Sequence, residues 1–90
     1  MVRKIKDIEV LKENVSEIDH KVLKLLEKRF EISKKIGKCK LEMGLKIQDE
    51  KAEKKLITIR CEKTNLPEEF VEDLFTLILN QSKKLQLGLK

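Results

Sequence analysis

The first half of the chain carries an apolar repeat that strongly constrains its fold. Core-type positions recur in alternating steps of three and four residues, at Ile8, Leu11, Val15, Ile18, Val22, Leu25, Arg29, Ile32, Ile36, Cys39 and Met43. We call this set the heptad seam, because its spacing is that of a coiled coil. No proline interrupts it, so we predict a single helix from about residue 5 to about residue 43.

This helix is too long to be covered by the rest of its own chain. At 1.5 Å per residue it measures roughly 58 Å, whereas a compact globule of this size has a diameter of roughly 30 Å. The residues that follow it cannot cover both halves of the seam. A second copy related by two-fold symmetry is the economical cover, so we predict a homodimer.

Two shorter helices are predicted after the long one. Gly44 suits the position just after a helix, and Asp49 suits the N-cap of a second helix that runs to about Thr64. Pro67 suits the first turn of a third helix. The apolar stripe of that helix is Val71, Leu74, Phe75, Ile78, Ser82, Leu85 and Leu89. We therefore predict an all-α fold with three helices in one domain, residues 1–90.

Charge dominates the composition and leaves two interpretations open. Charged residues make up 41%, aromatic residues 3%, and the formal net charge is +5. This charge is typical of a protein that binds anions, but also of an ordinary solvated Lys/Glu surface. Scarce aromatic residues argue against a nucleic-acid partner. No apolar stretch approaches the about 20 residues that a membrane span needs, so we expect no membrane partner.

The two cysteines and the N-terminal segment point to an ordinary cytoplasmic protein. Cys39 and Cys61 have no CxxC motif and no second ligand cluster, so no metal site is predicted. Two buried, reduced thiols are favoured over a disulfide. The first ten residues lack the apolar core of a signal peptide. We expect a cytoplasmic location.

Arg29 occupies a seam position where an apolar residue belongs. A buried arginine requires an anionic partner, which is either a bound carboxylate or a glutamate of a neighbouring helix. Lys40 lies eleven residues further on, three turns along the same face, with its backbone roughly 16 Å away. The two side chains leave a gap suited to a small anion. Lys12 lies too far along the helix to join them, but in an antiparallel dimer it approaches Arg29 of the other chain.

Further polar residues form pairs at helical spacing. Ser82 and Gln86 lie one turn apart on the predicted third helix, where ordinary helix-end polarity is an alternative interpretation. Asp49 and Glu53 have the same spacing, with capping as the alternative for Asp49. The sequence offers no nucleophile–base pair and no phosphate-binding glycine loop. An enzyme built on this chain works by positioning and charge.

Several motifs spread over essentially the whole chain occur together. They are Ile18-Asp19, Leu25-Leu26-Glu27-Lys28-Arg29, Ile36-Gly37-Lys38-Cys39-Lys40, Gly44, Ile47-Gln48-Asp49, Leu66-Pro67, Phe75, Ile78, Ser82 and Gln86. This combination resembles the signature of the all-helical chorismate mutases. The resemblance implies an intertwined helical homodimer and a cofactor-free isomerase. Such an enzyme rearranges chorismate, a dianion, to prephenate in aromatic amino acid biosynthesis.

The resemblance also implies a role for each matching residue. Arg29 would clamp a substrate carboxylate, while Lys40 and Gln86 would hydrogen-bond the ether oxygen of the bond that breaks. Glu53, with the region of Asp49, would hold the ring hydroxyl. These roles suit a reaction that is accelerated by conformational restraint and by stabilising developing charge.

The remaining positions include two departures from the family pattern. Ser82 would help bind a carboxylate, and Lys12 falls where the family places an arginine from the other subunit. Ala52 falls where the family usually has a second active-site arginine. Lys55, one turn along the same face, would partly replace that charge. We expect weaker substrate affinity, because lysine lacks the bidentate geometry of arginine and alanine lacks the charge.

Three alternatives to a mutase remain open at this point. An isochorismate pyruvate-lyase on the same scaffold would differ in its products. A degenerate, non-catalytic helical dimer would be consistent with Lys12 and Ala52. A basic dimer that binds nucleic acid would show affinity that falls steeply with salt.

Overall fold

The computed structural model describes residues 2–88 and folds them into three α-helices. In chain order these are α1 (Val2–Glu42), α2 (Glu50–Glu62) and α3 (Glu68–Gln86), with 41, 13 and 19 residues. The predicted all-α fold with one very long N-terminal helix is confirmed. Leu89, the last residue of the predicted third stripe, lies outside the described residues.

The chain divides into two compact units, Met1–Glu31 and Ile32–Lys90. In the first unit, the described part is a stretch of α1. Its six apolar seam side chains are between 48% and 65% exposed; they are Ile8, Leu11, Val15, Ile18, Val22 and Leu25. A stripe patterned for burial is therefore uncovered within a single chain.

The second unit contains a small core between α3 and the last turns of α1. Val71 and Ile78 of α3 are 2% and 8% exposed. Ser33 of α1 and Ser82 of α3 are also buried, and the Ser33 hydroxyl donates to Ser82 Oγ at 3.3 Å. Gly37, one turn after Ser33, is buried as well. Small residues one turn apart on α1 allow the backbone of α3 to come close.

This small-residue face of α1 is distinct from the heptad seam. Ile32 and Ile36 of the seam remain 57% and 46% exposed, although each directly precedes a buried residue, Ser33 or Gly37. Successive helical residues point about 100° apart. The last turns of α1 therefore use one face for α3 and leave another uncovered.

Local capping explains where the helices begin and end. Gly44 has φ of 70°, and the amides of Gly44 and Leu45 donate to Leu41 O and Lys40 O at 3.2 and 2.8 Å. This pattern is a Schellman motif, which a glycine in the left-handed region completes. At α2, the Asp49 side chain accepts a hydrogen bond from the Ala52 amide at 3.1 Å. Both predicted helix ends are confirmed.

Three boundaries and one burial prediction need correction. Helix α1 begins at Val2, earlier than the predicted start at about residue 5. Helix α2 ends at Glu62, slightly before the predicted Thr64. Pro67 precedes α3 as its N-cap instead of lying in its first turn, because its ψ of 134° is extended. Cys39 was predicted to be buried but is exposed, since it lies on the uncovered seam, and Cys61 is half-buried. Within residues 2–88, the helices lack an apolar stretch sufficient for crossing a membrane.

Candidate active site

The last turns of α3 place two polar side chains against α1. Ser82 is 5% exposed and lies beside Ser33. Gln86, one turn later, donates from Nε2 to the backbone carbonyl of Ser33 at 3.1 Å. This bond fixes the orientation of the Gln86 amide and uses one of its two N–H donors. The second N–H can serve a ligand.

Gly37 makes this placement of Gln86 possible. A Cβ added at Gly37 would lie 2.7 Å from Cβ and from Cγ of Gln86, and 3.0 Å from its Cα. Such distances are far shorter than the optimal carbon–carbon separation of about 3.5–4.0 Å. The absence of a side chain at position 37 thus allows α3 to pack against α1 in this register.

Lys40 lies almost one turn beyond Gly37 and is half-buried. Its Nζ donates to the backbone carbonyl of Ile47 at 3.3 Å, across the connection between α1 and α2. Lys40 also lines a surface depression of about 540 Å³, together with residues of the connection and the start of α2. The hydrogen bond to Ile47 holds the charge of Lys40 beside this depression. Because an ammonium group has three N–H donors, further donors remain for a ligand.

Glu53 contributes a carboxylate from the first turn of α2. Its Oε1 lies 3.1 Å from Nζ of Lys83 on α3, and the two side chains are each 23% exposed. Asp49, one turn earlier, is engaged as the N-cap of α2. Lys83 is not among the residues singled out from the sequence, because its local pattern is that of an ordinary surface lysine. Its only signal was its position between Ser82 and Gln86.

Lys83 also lines a second depression, of about 480 Å³. The other lining residues are Lys46, Ile47, Gln48, Lys84 and Leu87. Three lysines around one concave surface favour an anion there.

Five residues singled out from the sequence belong to the same compact unit, Ile32–Lys90. They are Lys40, Asp49, Glu53, Ser82 and Gln86.

The other candidate residues lie elsewhere. Lys12 is exposed and Arg29 is half-buried, and both belong to the Met1–Glu31 unit. Arg29 takes part in an interaction with another residue. Lys55 is exposed on α2, as is Ala52. Among the residues singled out from the sequence, three of the Ile32–Lys90 unit combine partial burial with a defined contact: Lys40, Glu53 and Gln86. Asp49 caps α2, and Ser82 is buried.

A second cluster forms where α2 meets α3. The ligand atoms of Cys61, Glu68 and Glu72 all lie within 4.8 Å of one another. The Cys61 thiol donates to Glu68 O at 3.9 Å. Burial raises the pKa of this thiol, and the Glu68 and Glu72 carboxylates raise it further. The protonated thiol is favoured, whereas metal binding requires a thiolate.

The candidate site in the Ile32–Lys90 unit offers hydrogen-bond donors and charges. Its two serine hydroxyls contact each other, and the chain's only histidine, His20, belongs to the other unit. A site of this kind can orient an anionic molecule and stabilise charge that develops within it.

Comparisons with known proteins agree with the sequence resemblance. Residues 11–87 match the family described as Chorismate mutase type II. A protein named Chorismate mutase from Methanocaldococcus jannaschii is 29% identical over 89 residues, covering 96% of this chain and 87% of that protein. A Bifunctional chorismate mutase/prephenate dehydratase from Buchnera aphidicola is 32% identical over 80 residues, covering 86% of this chain but 21% of its own length. No solved structure matches the chain significantly.

Replacing Gly37 with alanine tests the close contact between α1 and α3. Alanine favours helix by about 1 kcal/mol, but its methyl group collides with Gln86, and overpacking costs about 1–3 kcal/mol. We expect a net loss of unfolding free energy in urea at fixed protein concentration. Lys38→Ala, at an exposed neighbouring position, is the control and should change stability by less than about 0.5 kcal/mol. Equal stability of the two variants would contradict the contact.

Proposed function

The chain belongs to the chorismate mutase type II family and is a chorismate mutase, and from this premise we propose how its residues carry out the reaction. The enzyme is an isomerase of aromatic amino acid biosynthesis. In the rearrangement to prephenate, an ether C–O bond breaks while a C–C bond forms, and no atom leaves the molecule. The protein must hold the compact conformer and stabilise negative charge on the ether oxygen.

Lys40 and Gln86 are the proposed donors to the ether oxygen. What supports this role is the Gln86 amide, whose orientation is fixed by its 3.1 Å hydrogen bond to the Ser33 carbonyl. Lys40 is similarly held by the Ile47 carbonyl at 3.3 Å. Donors that are fixed before the substrate arrives need no reorganisation when charge develops.

Glu53 and its surroundings are the proposed site for the rest of the substrate. The Glu53 carboxylate accepts a hydrogen bond from the ring hydroxyl. Asp49, the N-cap of α2, and Lys55 of α2 contribute to the same part of the site. Ser82 helps to bind a carboxylate. Because Ser82 is 5% exposed in the single chain, this binding requires a local movement that exposes its hydroxyl.

A second chain completes each site in this proposal. The exposed apolar seam of α1 supports an intertwined homodimer, because burying apolar surface is the main driving force for association. Arg29 clamps one substrate carboxylate, and Lys12 reaches the site from the partner chain. Family membership favours the mutase over a pyruvate-lyase or a non-catalytic dimer. The cytoplasmic location and the absence of a cofactor stay predictions.

Replacing Arg29 with alanine should lower chorismate turnover by about 10²–10³-fold, because a preorganised charged donor is lost. Turnover is followed by the loss of ultraviolet absorbance of chorismate, with prephenate identified as the product. Lys28→Ala removes an exposed neighbouring charge and should retain nearly full activity. Equal turnover by the two variants would exclude Arg29 from the site, and a wild-type dimer that forms no prephenate would refute the proposed function.

Mixing two inactive variants tests whether the site is shared between chains. Lys12→Ala and Arg29→Ala homodimers each have two defective sites. In a mixed dimer, one site has both defects and the other has neither. After equal amounts are unfolded and refolded together, about a quarter of wild-type activity should return, since half of the dimers are mixed. No recovery, with mixed dimers demonstrated by native mass spectrometry, would place Lys12 outside the partner's site.

Replacing Ala52 with arginine should restore a cation next to Glu53. One charged contact contributes about 1–3 kcal/mol, so KM for chorismate should fall by about fivefold or more. Ala52→Gln adds comparable length without charge and should leave KM almost unchanged. An arginine variant that is no better than the glutamine variant would show that Ala52 is not a handicap.

A further inference from the structure

The ion pair between Glu53 and Lys83 differs from an ordinary surface salt bridge. It joins two helices, and Lys83 Nζ lies 3.1 Å from Oε1 and 3.5 Å from Oε2 of the carboxylate. Both side chains are 23% exposed, whereas Lys24 and Glu27 of the pair within α1 are 61% and 67% exposed. Partial burial reduces screening by water and salt, so the contact holds the carboxylate more firmly.

Lys83 is also positioned among residues of the proposed site. It directly follows Ser82 and precedes Gln86 by almost one turn on α3. It lines the 480 Å³ depression beside Ile47, whose carbonyl holds Lys40. The ammonium group therefore contacts the carboxylate of α2 from the stretch of α3 that also carries Ser82 and Gln86.

We propose that Lys83 is a positioning residue, which holds the Glu53 carboxylate in place for the substrate's ring hydroxyl. Lys83 also supplies a positive charge beside Glu53 from α3. Ala52, which precedes Glu53 on α2, supplies no charge. A carboxylate has about four acceptor positions, so the ion pair leaves Glu53 able to accept the hydroxyl. This inference rests on the proposed role of Glu53 in the mutase reaction.

The role of Lys83 predicts a specific kinetic signature. The hydroxyl takes no part in bond breaking, so its contact is equally strong in the ground state and the transition state. Loss of such a contact raises KM and leaves kcat nearly unchanged. We expect Lys83→Met to raise KM for chorismate by about tenfold, the effect of about 1.4 kcal/mol. Lys83→Arg keeps the charge and should restore most of the affinity.

A matched control and a second charge-free variant accompany this measurement. Lys54→Met removes one exposed lysine beside Glu53 and should leave KM within about twofold of wild type, because exposed charges contribute little. Lys83→Gln should behave like Lys83→Met, so the comparison survives if either variant folds poorly. If both charge-free variants match Lys54→Met, the inference is overturned.

A double-mutant cycle with Glu53→Ala shows whether Lys83 acts through Glu53. We expect Lys83→Met to raise KM no further once Glu53 is absent. An additional tenfold increase in that background would mean that Lys83 contacts the substrate directly, and would overturn the positioning role. If Glu53→Ala leaves KM unchanged in an active enzyme, the proposed role of Glu53 fails, and the inference with it. If Glu53→Ala raises KM but the Lys83 variants have the KM of the wild type, the inference about Lys83 is rejected while the proposed role of Glu53 stands.

Discussion

The contact between Gly37 and Gln86 is the constraint on which the candidate site depends. It brings the backbones of α1 and α3 close enough for Gln86 to reach the Ser33 carbonyl and for two small serine hydroxyls to meet. The same contact fixes where the C-terminal turns of α3, which carry Lys83, lie against α1. Gly37 weakens the helix locally, but its lack of a side chain permits the geometry of several polar groups.

The last turns of α1 have two separate tasks on adjacent faces. Ser33, Gly37 and Lys40 face α3 and the connection to α2, whereas Ile32 and Ile36 belong to the exposed seam. A rigid helix ties the two faces together, because side chains on one helix cannot move independently of its backbone. In the proposed dimer, packing along the seam therefore also determines where the proposed hydrogen-bond donors lie.

Most of the fold could be predicted from local sequence, but the site only in part. The heptad repeat, Gly44 and Asp49 act within a few residues, so the helices and two of their ends were predictable. Pro67 was misplaced by one position, because proline is tolerated both before and within a first turn. Lys83 and Glu53 lie thirty residues apart on different helices, and no local pattern reports their register. The role of Ser33 depends entirely on what packs against it, so local sequence does not predict that role.

The small number of buried residues has a consequence for the protein in the cell. Among residues 4–88, the buried side chains are those of Val71, Ile78, Ser33 and Ser82. A single chain with so little interior has little to stabilise it, so in the proposed dimer folding and association occur together. By mass action, the assembled fraction then depends on how much of the chain is synthesised. Expression level would act as a threshold for activity, below which the amount of working enzyme falls faster than the amount of protein.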